Sequence, residues 1–179
     1  DGTVKTSGDY FNSTLTMKVS GKYSDPDDYA KGTTIIIGSE ETDEIHGNGR
    51  TDIIYGGKGT DKLYGESGND ELHGDTGNDE LYGGNGDDTY VFNLGDGNDV
   101  IDENSRNGKD KVVFGEGIKA EDVKVTRDGN DMVLVVGSEG DTLRITSQYT
   151  DSYSQIESFE FADGTVKTSG DYFNSTLTM

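Results

Sequence analysis

The chain has 179 residues, of which 36 are Asp or Glu and 15 are Lys or Arg, giving a formal net charge of −21; 27 are glycine, none is cysteine and 29% are hydrophobic. So acidic a chain is excluded as a nucleic-acid partner, the lack of cysteine excludes disulfides and thiolate metal sites, and no apolar stretch is long enough to span a membrane. A chain this charged and this poor in apolar residues is expected to stay expanded unless counterions fold it.

In chain order, residues 1–31 read as a linker: they are polar, and Lys18 to Lys31, which holds the only proline, reads as a loop leading into a first turn capped by Ile36. From Gly38 to Val91 the sequence falls into six consecutive blocks of nine: GSEETDEIH, GNGRTDIIY, GGKGTDKLY, GESGNDELH, GDTGNDELY and GGNGDDTYV. The sixth positions are Asp43, Asp52, Asp61, Asp70, Asp79 and Asp88, and the eighth are Ile45, Ile54, Leu63, Leu72, Leu81 and Tyr90. The Gly-rich half of each block reaches positive φ without steric cost and turns carbonyls toward a common centre. The last three residues form a strand whose single inward apolar side chain is buried only by stacking on strands before and after it.

Two blocks, eighteen residues, then make one turn of a coil. Asp43, Asp61 and Asp79 fall on one edge, and Asp52, Asp70 and Asp88 on the other. Neighbouring strands lie about 4.8 Å apart, so these carboxylates repel strongly unless a cation sits between them. A hard divalent ion taking six to eight oxygens in flexible geometry suits a mixture of carboxylates and carbonyls, which points to calcium.

These blocks resemble the GGxGxDxUx nonapeptides of the RTX (repeats-in-toxin) family of secreted bacterial proteins, Gly56 to Tyr64 and Gly83 to Val91 most fully. The resemblance implies ligands from positions one to four of the third to sixth blocks: Gly56, Gly57, Lys58 and Gly59; Gly65, Glu66, Ser67 and Gly68; Gly74, Asp75, Thr76 and Gly77; Gly83, Gly84, Asn85 and Gly86. It implies that Gly57, Gly59 and Asp61 face Gly74, Thr76 and Asp79 across one ion, and that Glu66, Gly68 and Asp70 face Gly83, Asn85 and Asp88 across another. Ser39 and Glu41 in the first block and Arg50 in the second depart from the motif. About four to six calcium ions are expected; five would bring −21 to about −11, coupling metal binding to folding. The resemblance further implies type I secretion into an extracellular milieu where millimolar calcium loads such modules.

His46 and His73 share the ninth position with Tyr55, Tyr64 and Tyr82 and read as outward strand residues, since two histidines without a third ligand make a poor zinc site. Beyond Val91 the register slips by two residues. Asp96 and Asp99 in NLGDGNDVI restore a calcium-loop composition, and Asp110 in RNGKD is a weaker ligand candidate. Residues 103–168 then read as antiparallel β: Val112 to Phe114, Val123 to Thr126, Met132 to Val136, Thr142 to Ile145 and Ile156 to Phe161 are strands, with turns at Asp128-Gly129-Asn130 and Gly137 to Gly140. Residues 88–165, down to FADGT, resemble the haemolysin-type calcium-binding related domain. The fold class expected is all-β: a calcium-loaded parallel β-roll over residues 32–102, followed by an antiparallel subdomain.

Residues 1–17 recur unchanged as residues 163–179, a period of 162 residues, so the segment reads as one unit of a longer tandem array, with residues 169–179 opening the next unit. Phe159 to Thr168 read as a hairpin with a type I′ turn at Asp163-Gly164, whereas residues 1–6 lack that partner strand and are expected to be frayed or paired with another molecule. The leading functional expectation is a non-enzymatic, calcium-triggered folding and spacer module of a large secreted RTX toxin or adhesin, whose partners are neighbouring repeat units. No HExxH helix or GxSxG elbow is present. Two alternatives are self-processing at Asp25-Pro26, as in RTX toxins of the FrpC-like type, and binding of glycan or host surface through the Tyr column.

Overall fold

The computed structural model describes residues 15–24, 32–103, 108–138, 140–150 and 155–175. Its strands are β1 (Leu15–Lys18), β2 (Lys22–Ser24), β3 (Thr34–Ile37), β4 (Glu44–His46), β5 (Asp52–Gly59), β6 (Lys62–Ser67), β7 (Glu71–Gly77), β8 (Glu80–Asn85), β9 (Thr89–Phe92), β10 (Asn98–Ile101), β11 (Asp110–Phe114), β12 (Val123–Asp128), β13 (Asp131–Val136), β14 (Asp141–Ile145), β15 (Ile156–Glu160) and β16 (Val166–Thr168), followed by one helix, α1 (Ser169–Ser175). From β1 to β12 successive strands alternate between two eight-stranded sheets; β13 and β14 then stay in the sheet of β12, and β15 and β16 return to the other. One has the order β1-β3-β5-β7-β9-β11-β15-β16; the other runs β12-β13-β14-β10-β8-β6-β4-β2.

Every strand from β3 to β9 pairs in parallel with the strand two ahead, and Ile54 lies against Leu72 as Leu63 lies against Leu81, the register that a coil of eighteen residues dictates. The inward eighth residues form the core: Ile36, Ile45, Ile54, Leu63, Leu72, Leu81 and Tyr90 are all at most 1% exposed. No single strand could bury such a residue, so the stack is held by burial between coils rather than within them.

Three features differ from the sequence expectation. Pairing is not confined to the last three residues of a block; it runs into the Gly-rich half, with Gly57 opposite Asp75 and Glu66 opposite Gly84, because the turns stack in register as well as the strands. The stretch read as a loop from Lys18 contains β2, which pairs in parallel with β4, and β1 pairs with β3. A further coil therefore precedes Ile36, and Met17 and Tyr23 pack against the core from it. Its strands lack the nine-residue signature, so periodicity alone missed them.

The hairpin near the carboxyl end does form, with Phe159 opposite Lys167. Its turn is not type I′: Gly164 has φ of +84° while Asp163 stays at negative φ. The Gly164 N–H donates to the Phe161 carbonyl at 2.9 Å and the Phe161 N–H to the Thr165 carbonyl at 2.9 Å. This is a three-residue loop closed by a left-handed glycine, a geometry that asks for positive φ at one position only. Residues 1–6, the other side of that comparison, lie outside the described residues.

Beyond β11 the chain extends the same two sheets. β12, β13 and β14 form an antiparallel meander, but β14 pairs in parallel with β10 and β15 in parallel with β11. Met132, Leu134, Leu143, Ile145, Ile156 and Phe159 join one hydrophobic core with the roll. Helix α1 covers its end: Tyr172 meets Phe159 edge-on at 5.1 Å. At its start Asp171 Oδ2 accepts from both the N–H of Thr168, at 2.7 Å, and its hydroxyl, at 2.8 Å.

Candidate metal centre

The sixth-position aspartates point inward. Asp43, Asp52, Asp61, Asp70, Asp79 and Asp88 are each at most 1% exposed, and Asp99 and Asp110 are also buried. They form two ladders. In one, the backbone N–H of Asp43 donates to Asp61 Oδ1 at 2.7 Å, that of Asp61 to Asp79 Oδ1 at 2.8 Å, and that of Asp79 to Asp99 Oδ1 at 3.0 Å. In the other, Asp52 donates to Asp70 at 2.8 Å, Asp70 to Asp88 at 2.8 Å and Asp88 to Asp110 at 2.9 Å. One oxygen of each carboxylate is thus spent on holding the coil ahead of it in register.

The other oxygen separates the blocks into two groups. Oδ2 of Asp61, Asp70, Asp79 and Asp88 is buried and has no hydrogen-bond partner. In the two divergent blocks it is satisfied internally: Asp43 Oδ2 accepts from the Ser39 N–H at 2.6 Å and hydroxyl at 2.8 Å, and Asp52 Oδ2 from the Asn48 N–H at 2.8 Å. A buried orphan acceptor costs about 1–3 kcal/mol, and more when charged. Four of them in register are hard to reconcile with a chain that binds nothing.

What surrounds the orphan oxygens is shaped by the first glycine of each block. A Cβ added at Gly56 would lie 2.7 Å from both Asp61 Oδ2 and the Gly74 carbonyl oxygen; at Gly65 it would lie 2.5 Å from Asp70 Oδ2 and 2.6 Å from the Gly83 carbonyl oxygen. The absent side chain leaves room in which a carboxylate oxygen and a carbonyl of the facing coil converge. The orphan oxygens of Asp61 and Asp70 therefore have a hard neutral donor beside them, and the set fits a hard cation such as calcium. In the third to sixth blocks the second position takes positive φ whatever its residue, with Gly57 at +103°, Glu66 at +76°, Asp75 at +60° and Gly84 at +95°; Ser39 and Asn48 in the two divergent blocks do not.

Electrostatics agree with the geometry. Burial pushes Asp70 up to about 8 and Asp79 to about 7, partly offset by the backbone N–H each accepts and reinforced by like charge from Asp52 and Asp88 around Asp70 and from Asp61 and Asp96 around Asp79. Asp61 and Asp88 rise to about 6, Asp99 and Asp110 to about 8, again mainly through burial. A cation among them would remove that cost. Asp96 is placed differently: its Oδ2 accepts from the Asn93 N–H at 2.7 Å and closes a turn. Glu103, absent from the sequence reading, brings its carboxylate oxygen within 4.8 Å of those of Asp88 and Asp110. It stands outside the nine-residue register, so no spacing signal marked it. Lys58, Ser67, Thr76, Gly77, Gly84 and Asn85 lie in the stacked turns of β5 to β8.

The ninth-position rings stack along the outer faces: His46 on Tyr64 at 4.2 Å, Tyr64 on Tyr82 at 4.6 Å, and Tyr55 on His73 at 4.3 Å. His46 also contacts Glu66 and Glu44, at 2.9 and 3.2 Å. Neither histidine belongs to a metal-ligand group among the described residues.

Two family comparisons match this architecture. The RTX calcium-binding nonapeptide repeat matches residues 37–72 and 64–101. Residues 37–101 are thus RTX calcium-binding nonapeptide repeats. The haemolysin-type calcium-binding protein related domain matches residues 131–169, from β13 to the start of α1. No curated protein matches the chain. The RTX repeat is a structural, calcium-binding family, typically secreted, and the aspartate ladders are its repeated element here. Among the described residues no helix is long and apolar enough to cross a membrane.

Proposed function

We propose that this RTX segment is a calcium-triggered folding and spacer module of a large, secreted, repetitive bacterial toxin or adhesin, exported by type I secretion, and that it carries no catalytic activity. The observation that supports it most is the row of four buried aspartate oxygens without partners, at Asp61, Asp70, Asp79 and Asp88. A fold that contains them is stable only if something positive enters with them, so folding waits for metal. The exact repetition of residues 1–17 at 163–179 supports a tandem arrangement in which each unit is a link. Binding of sugars by the aromatic column is less well supported, because the rings of His46, Tyr64 and Tyr82 cover one another's faces. The Asp25-Pro26 bond lies outside the described residues, and self-processing there remains a matter for a gel after incubation with calcium. Far-UV circular dichroism in chelator and in calcium, with a count of ions per chain, tests the main reading. Little β signal in chelator and a cooperative gain between high-micromolar and millimolar calcium is the expected result; equal structure in both conditions would sink it.

A further inference from the structure

The last link of the second ladder differs from the others in three ways. Asp88 and Asp110 are 22 residues apart instead of eighteen, the eighth-position residue is Tyr90 instead of Ile or Leu, and a third carboxylate, Glu103, has entered from the following coil. Carboxylate oxygens of Asp88, Glu103 and Asp110 lie within 4.8 Å of one another, and these residues are 0%, 1% and 4% exposed. Asp88 Oδ2 has no hydrogen-bond partner. Tyr90 holds Glu103 in place: its hydroxyl accepts from the Gly83 N–H at 2.8 Å and donates to Glu103 Oε2.

From this geometry we infer a metal site distinct from the repeated ones, a three-carboxylate calcium site formed by Asp88, Glu103 and Asp110, with Glu103 tethered by Tyr90. The inference rests on the calcium reading above and adds to it a ligand that the nonapeptide pattern does not contain. Three carboxylates carry −3, which a divalent cation reduces to −1; buried and without the cation, they repel one another at short range. In the repeated coils one aspartate from each of two coils is supplemented by carbonyls from Gly-rich turns. After the register slip the sequence following Ile101 no longer repeats that pattern, and an anionic side chain stands where it broke. The hydroxyl explains the tyrosine: an aliphatic residue would fill the core but not donate to Glu103.

The test is the number of ions per chain at saturating calcium, by native mass spectrometry of the wild type and Glu103→Gln. The variant is expected to hold one ion fewer while retaining the circular dichroism of the calcium-loaded roll. Equal counts would overturn the inference and leave the calcium reading standing; a wild type that binds no calcium would overturn both. Should Glu103→Gln fail to fold, terbium-loaded wild-type crystals decide independently. An anomalous peak among Asp88, Glu103 and Asp110 supports the site, and peaks only along the repeated coils reject it.

Discussion

An aspartate at the sixth position has two oxygens with different tasks. Oδ1 ties one coil to the next through a backbone N–H, and Oδ2 waits for a cation unless the block supplies a substitute, as Ser39 does for Asp43. Replacing the two residues by alanine should therefore have unequal effects. Asp70 lies between Asp52 and Asp88 in its ladder and has an orphan oxygen; Asp70→Ala should raise the calcium needed for half-folding by about tenfold or more, the worth of a single net ligand interaction of roughly 1.4 kcal/mol. Asp43→Ala loses an oxygen that is already satisfied and should shift the titration by much less. Coincident calcium titrations of the two variants would contradict this ordering.

At the scale of the strand, each coil contributes two inward apolar residues, one from each sheet, so the core is a double file with few neighbours to relax into a gap. Leu72 is fully buried between Ile54 and Tyr90. Leu72→Ala should cost about 2–5 kcal/mol in calcium-saturated protein, measured by chemical denaturation. A loss below about 1 kcal/mol would mean that the file collapses around the gap. On the outer face of the even-numbered sheet, Lys22, Glu44, Lys62 and Glu80 occupy matched positions on neighbouring strands; Lys62 meets Glu80 at 2.7 Å. This exposed column of alternating charge favours the correct register over a slipped one more than it adds stability.

For the whole molecule, the raised carboxylates make a statement about pH. An unfolded aspartate titrates near about 3.9, while folded Asp70, Asp99 and Asp110 titrate at about 8 and Asp79 at about 7. Between those limits the metal-free folded chain binds more protons than the unfolded one, so its stability is greatest at low pH and is lost as pH rises through the folded values. In chelator, acidification from pH 8 toward pH 4 should therefore increase β signal. At limiting calcium the half-folding concentration should fall over the same range, because protonation stabilises the folded chain, although protons and calcium compete for the same oxygens once it has folded. A chelated chain equally unstructured at both ends of the range would reject the first expectation.

The sequence by itself determined the coil length, the sheet assignment of every strand from β4 to β9, the inward file from Ile45 to Tyr90 and the two aspartate ladders, because an exact nine-residue period leaves one way to stack identical units. It also determined the strands of the last third, whose β-branched and aromatic runs are local signals. Only tertiary structure decided how those strands join the roll, since the parallel pairing of β14 with β10 and of β15 with β11 is a contact across more than forty residues. It decided too that Lys22–Ser24 is a strand, through pairing with β4 and not through its own composition. Glu103 belongs to the same class: a glutamate in DEN has no periodicity to announce it, and it becomes a site residue because the next coil carries it over Asp88 and Asp110. Repetition writes its structure into the sequence, and where the repetition stops, the contacts that replace it are long-range and are fixed only in the fold.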